Sequence, residues 1–160
     1  KSISLPNVPI AMIYDSVAIK NNVVMEDPKE SGLRKILNFG HTIGHAIEGY
    51  SLRHDADPLL HGEAIAIGMV CEAYLSHRAS DLSKNELDDI VHYIVSIFPH
   101  YAWGSDLVDE ALILMRNDKK NERNQLGFAL LQQIGQAGYN LYVEEDLVRE
   151  SLAFYQDLKR

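Results

Sequence analysis

The 160-residue sequence predicts a mainly α, compact multi-helix domain with one small β-hairpin. Three observations lead there. Apolar residues recur at three- and four-residue spacing over most of the chain, as amphipathic helices require. Start and stop signals punctuate those runs: Asp27-Pro28, Asp57-Pro58, Ser83 with Glu86, and Pro99. Only residues 126–143, LGFALLQQIGQAGYNLYV, break the helical period, with short apolar runs split by Gly135 and Gly138 in the manner of a hairpin.

Taken in order, Ile10, Ile13, Val17 and Val24 mark a first helix, and Leu33, Leu37, Ile43 and Ile47 a second, with Asp27-Pro28 between them. Asp57-Pro58 reads as an N-cap followed by proline at the first helical position, opening a helix from 59 to about 76. Its segment EAIAIGMVCEAYL is apolar almost all round, which places it at the centre of the domain. Ser83 and Glu86 form a capping box ahead of Leu87, Ile90, Val91, Ile94 and Val95, and Pro99 ends that helix. Ser105 and Asp106 start another through Leu107, Leu112 and Met115, and an amphipathic helix closes the chain from 144 to about 158. No internal repeat or low-complexity tract interrupts this order. The longest non-helical connector is expected at 50–57, and one domain accommodates the whole length.

Net charge is −8, with a sequence pI near 5.3. That argues against nucleic-acid partners, which need a basic face. No run approaches the roughly 18 apolar residues of a membrane span, and no signal-peptide hydrophobic region opens the chain. The lone Cys71 lies in an apolar helical run, so it reads as a small core residue in a reducing, cytoplasmic setting. Opening on KSISLPNVPIAMIYD, without an initiator Met, the sequence reads as the interior of a longer polypeptide.

The chemistry is concentrated in NFGHTIGHAIE and LLHGEAIAIGM. At about 100° per residue, Arg34, Asn38, His41, His45 and Glu48 fall on one stripe of a continuous helix. A solvated face would be rich in Lys and Glu; this stripe offers a guanidinium, an amide and two imidazoles. His41 and His45 are four apart, a weak signal alone, but His61 opens the next helix. Antiparallel packing would bring its ring beside the pair, an open metal site of catalytic type. Gly40 and Gly44 read as a close-packing surface against the helix around Ala64 and Gly68. His54, His77, His92 and His100 lack such company and are assigned surface or structural roles. Lys119 and Lys120, in NDKKN, are ambiguous between a solvated turn and a ligand contact.

The GHTIGHAIE and HGEAIAIGM motifs, with SVAIKN before them and DKKN and FALLQQIG after, closely resemble the C-terminal domain of 3-dehydroquinate synthases, over nearly the whole chain. The connector at 50–58 fits least well. The resemblance implies the helical C-terminal domain of a two-domain enzyme, occupying 1–160, with an NAD-binding domain lying before it. It implies conversion of 3-deoxy-D-arabino-heptulosonate 7-phosphate to 3-dehydroquinate and phosphate, in the shikimate pathway of aromatic amino acid biosynthesis, by a lyase working with NAD and a divalent metal, zinc or cobalt.

By motif position, the resemblance makes His41 and His61 metal ligands, with His61 also within reach of substrate. It makes His45 a proton-handling, phosphate-contacting residue and places Glu30 in the active-site polar network. Lys20 and Arg34 would clamp the substrate carboxylate, Asn38 would contact substrate, and one of Lys119 and Lys120 would meet its phosphate. A forked guanidinium matches a carboxylate, and lysine serves phosphate as a point charge. The family's third metal ligand, a glutamate, would precede Lys1, and the ten glycines never form a GxGxxG loop. The isolated chain is therefore expected to be inactive. The partner is a small sugar phosphate, and the full-length enzyme is expected to be a homodimer. The competing readings are another sugar-phosphate cyclase, a metal-dependent polyol dehydrogenase, or a helical interaction module without chemistry.

Overall fold

A computed structural model describes residues 9–118 and 126–158. Helix α1 spans Ile10–Glu26, a short 3-10 helix Leu33–Asn38, α2 His41–His54, α3 His61–Ala79, α4 Lys84–Ile97 and α5 Leu107–Asp118. Strands β1 (Leu126–Gln133) and β2 (Gln136–Val143) form one antiparallel hairpin, and α6 spans Glu145–Gln156. The mainly helical architecture with a single hairpin is the one the periodicity predicts.

Helix α3 is the axis of the domain. Ala64, Ala66, Ile67, Val70, Cys71, Ala73 and Leu75 are all buried along it, as a helix apolar on every side must be. Ile43, Ile47 and Tyr50 of α2, Leu87, Val91 and Ile94 of α4, and Val148, Leu152 and Tyr155 of α6 close around it. Strand β1 lays Leu126, Phe128 and Leu130 into the same core, and the Leu131 N–H donates to the buried Ser76 Oγ at 2.9 Å. The hairpin turns at Ile134 and Gly135, whose φ of +90° suits glycine; Gly138 lies inside β2.

Helices α2 and α3 run antiparallel and very close. Gly40 faces Met69, Gly44 faces Ile65, and Glu48 meets His61. A methyl group on Gly68 would strike the Gly40 carbonyl and lie 2.7 Å from the Gly44 nitrogen. The glycines therefore permit a backbone approach that any side chain would block.

The structure corrects several expectations. Residues 34–48 are not one helix: the 3-10 segment stops at Asn38, Gly40 takes φ +83°, and α2 begins at His41. The left-handed turn re-aims the chain, so only His41, His45 and Glu48 share an α-helical face. Helix α3 starts at His61 rather than 59, and its N-cap is Leu60, not Asp57. Glu63 reaches back to accept from the Leu60 N–H at 2.8 Å, while the Leu59 N–H is taken by Ser51 Oγ at 2.8 Å. Those bonds hold the Asp57-Pro58 segment in the connector. Helix α2 continues to His54, which shortens the predicted 50–57 connector. The Ser83–Glu86 capping box forms as read. Helix α1 forms but buries none of its residues; Ile10, Ile13 and Val17 are exposed. Among the described residues, no helix is long and apolar enough to cross a membrane.

Candidate active site

Two helix starts create the centre of the site. His41 is the first residue of α2 and His61 the first of α3, and their antiparallel packing brings both rings to His45, one turn into α2. Ring centroids are 5.3 Å apart for His41 and His45, 5.9 Å for His41 and His61, and 5.7 Å for His45 and His61. One ring nitrogen from each lies within 4.8 Å of the others.

Two of the rings are oriented from behind. His41 Nδ1 lies 3.2 Å from the Phe39 carbonyl and His61 Nδ1 lies 3.1 Å from Glu48 Oε2. A carbonyl and a carboxylate only accept, so each Nδ1 carries the proton, and in the neutral ring Nε2 is the nitrogen with a lone pair for an ion. Backing of this kind fixes tautomer and ring angle in metal-ligating histidines. Burial lowers the His41 pKa, and repulsion from His45, His61 and Lys20 lowers it further, against the Phe39 bond that raises it. The shift favours the neutral ring, which is the ligating form.

The donor set fits a borderline divalent ion. At bond lengths of about 2.0–2.1 Å, tetrahedral nitrogens sit about 3.4 Å apart. The exposed His61 can close that gap to His41 by a side-chain rotation, with the exposed His45 ring beside the pair. Beside them opens a cleft of about 390 Å³, lined by His41 and His61 and by Ile65, Met69, Ile90 and Phe98. Its apolar wall limits water on one side of the rings.

A second cluster precedes α2. Asn38 Nδ2 donates to Glu30 Oε1 at 3.0 Å, Arg34 Nε is 3.9 Å from Glu30 Oε2, and an Arg34 terminal nitrogen donates to the Pro28 carbonyl at 3.2 Å. Glu30 has φ +55°, an unusual backbone for a non-glycine residue, and the loop is pinned by buried Asp27. Asp27 accepts from the N–H groups of Gly32 at 2.7 Å, Ser31 at 3.0 Å and Arg34 at 3.1 Å. Those bonds, Gly32 first, hold its carboxyl down at about 2. Only Phe39 and Gly40 separate this cluster from His41. Lys20, on α1, is close enough to His41 to depress its pKa. Lys119 and Lys120 lie outside the described residues.

Three supporting groups escaped the sequence reading. In the sequence Glu48 lies on the polar stripe with nothing to give it a role, Asp27 reads only as punctuation, and Glu72 sits unmarked inside the apolar segment of α3. His54 keeps the structural role assigned to it, although it does have company. Its Nε2 is 2.7 Å from Glu110 Oε2, and with Asp106 these atoms lie within 4.8 Å. There Arg53 pairs with Glu110 at 2.6 Å and the Tyr50 hydroxyl donates to Asp106 at 2.8 Å, so the group staples α2 to α5. His77 and His100 bond the carbonyls of Leu82 and Tyr155, the structural roles expected of them.

The model of the family described as 3-dehydroquinate synthase C-terminal matches residues 4–121. The chain is 42% identical over 147 residues to the 3-dehydroquinate synthase of Parabacteroides distasonis, covering 92% of this chain and 41% of that protein. It is 43% identical over 125 residues to the Acinetobacter baylyi 3-dehydroquinate synthase, covering 78% of this chain and 34% of that one. Among solved structures, it superposes on 2-deoxy-scyllo-inosose synthase, complexed with carbaglucose-6-phosphate, NAD+ and Co2+, with a TM-score of 0.71. The identity there is 28%, over 88% of this chain and 39% of that one. The chain thus spans between about a third and two-fifths of the length of these relatives. Because the matched span runs through both side-chain clusters, the likeness that the histidine motifs carry extends to the residues around them, and the chain belongs to the 3-dehydroquinate synthase family, corresponding to its C-terminal domain.

Proposed function

We propose that this chain is the metal- and substrate-binding half of a 3-dehydroquinate synthase, a lyase that converts 3-deoxy-D-arabino-heptulosonate 7-phosphate to 3-dehydroquinate and phosphate. The observation that carries the reading is the meeting of His41, His45 and His61 with the Nδ1 atoms of His41 and His61 already bonded from behind. His41 and His61 are the metal ligands. His45, exposed on the substrate side, relays the proton that leaves with phosphate. Arg34 and Lys20 hold the substrate carboxylate, Asn38 contacts a substrate hydroxyl, and Glu30 keeps Asn38 and Arg34 aimed. One of Lys119 and Lys120 meets the phosphate.

When bound, a zinc or cobalt ion supplies Lewis acidity at the hydroxyl to be oxidised, and NAD serves as the oxidant. The solved relative bound to NAD+ and Co2+ supports both cofactors. The third metal ligand and the NAD-binding domain then belong to the remainder of an enzyme of relative length, which works in the cytoplasm as a homodimer.

Two measurements test the proposal. Isothermal titration of the chain with Co2+ should give one site, lost in the His41→Ala, His61→Ala double variant. The chain alone should release no phosphate from substrate above background. An unchanged Co2+ affinity in the double variant overturns the ligand assignment; turnover by the chain alone overturns its half-site role. A cyclase acting on a related sugar phosphate is the second reading, favoured by the 2-deoxy-scyllo-inosose synthase likeness. The carboxylate clamp of Arg34 and Lys20 argues for the dehydroquinate route, and substrate comparison in a full-length enzyme decides between them.

A further inference from the structure

Glu72 is the most deeply buried acid among the described residues, fully enclosed in α3 between Cys71 and Ala73. A carboxylate in such surroundings is costly unless strong hydrogen bonds meet it. Glu72 Oε2 accepts from the Gly40 N–H at 2.6 Å and Oε1 from the Ile43 N–H at 3.1 Å. These donors flank the start of α2, where N–H groups lack partners within their own helix and the helix dipole favours a negative charge. Helix α2 has no side-chain cap of its own, because left-handed Gly40 stands at that position. The cap comes from another helix instead.

That origin matters for the site. The two capped groups bracket His41 in the chain, and Glu72 lies about three turns along α3 from His61. Close packing at Gly68 lets α2 and α3 touch, but small residues alone leave sliding and rotation open. We propose that Glu72 is a positioning residue for the histidine cluster: it caps α2 across the helix interface and thereby holds His41 opposite His61. Its metal readout rests on the function proposed above; its structural readouts do not.

The test uses the 160-residue chain with Glu72→Ala and Glu72→Gln. In the wild type, the Gly40 and Ile43 amides should exchange far more slowly than that of the exposed Gly62. Ring-proton NOEs should connect His41 and His61 without metal. Glu72→Ala should lose both signals and weaken Co2+ binding about tenfold to a hundredfold at a temperature where it is fully folded. Glu72→Gln, which keeps one acceptor oxygen, should recover part of the loss. A Glu72→Ala chain with a lower melting temperature but unchanged NOEs and Co2+ affinity would reduce the residue to a structural role and overturn the proposal. Rapid exchange at Gly40 and Ile43 in the wild type would overturn it even if neither variant folds. A wild type that binds no Co2+ would sink the metal reading alone, and the exchange and NOE results would then decide on Glu72.

Discussion

Gly68→Ala isolates the contact on which the site's geometry depends. The added carbon would lie 2.7 Å from the Gly44 nitrogen and 2.9 Å from its Cα, and closer still to the Gly40 carbonyl. Ordinary contact needs about 3.5 Å or more, so at the Gly40 carbonyl α2 and α3 must part by well over an ångström. All three obstacles are backbone and cannot rotate aside. Overpacking of this kind costs about 1–3 kcal/mol, equivalent to a melting-temperature drop of roughly 2–12 °C for a chain of this size. Because His41 and His61 ride on the separated helices, Co2+ affinity should fall as well, by tenfold or more. Differential scanning calorimetry and Co2+ titration on the same samples make the test. A variant that melts within 1 °C of the wild type and binds Co2+ equally would refute the claim that this glycine contact sets the spacing of the cluster.

Two further outcomes follow from the groups behind the site. Glu48→Ala should weaken Co2+ binding about 10–100-fold by freeing the His61 ring, whereas Glu48→Gln, whose amide oxygen still accepts from Nδ1, should lose less; calorimetric titration at fixed pH compares them, and equal affinities would remove Glu48 from the account. Asp27 has its folded-state pKa depressed to about 2 from 3.8, so its stabilising effect is present above pH 4 and is lost as pH falls toward 2. The difference in urea midpoint between wild type and Asp27→Asn should therefore be largest near neutrality and close between pH 4 and pH 2; a difference constant with pH would contradict the hydrogen-bonded loop.

The helices were legible because each carries a period and a punctuation mark, as in the Ser83–Glu86 box and the all-round apolar face of α3. The meeting of three imidazoles was legible from a four-residue spacing and one further histidine at a helix start. What misled was angular arithmetic carried through Gly40, since a single left-handed residue breaks the phase between Asn38 and His41. Pro58 misled for a related reason: proline at a first helical position is a local preference, and the Ser51 and Glu63 bonds to the connector outweigh it. The supporting carboxylates were hidden differently. Glu48 and Glu72 act through groups 13 and 29–32 residues away, which only tertiary packing reveals, and Asp27 through N–H groups 4–7 residues on, in an irregular loop that carries no period. A glutamate within an apolar helix was the one available hint of Glu72.

In the proposed site, α2 and α3 deliver two oriented imidazoles to one ion. X-ray absorption at the cobalt edge of the Co2+-loaded chain measures this directly. Outer-shell imidazole scattering from at least two histidines is expected, reduced in His41→Ala and again in His61→Ala. A first shell of oxygen alone, or an imidazole count unchanged by both substitutions, would contradict it.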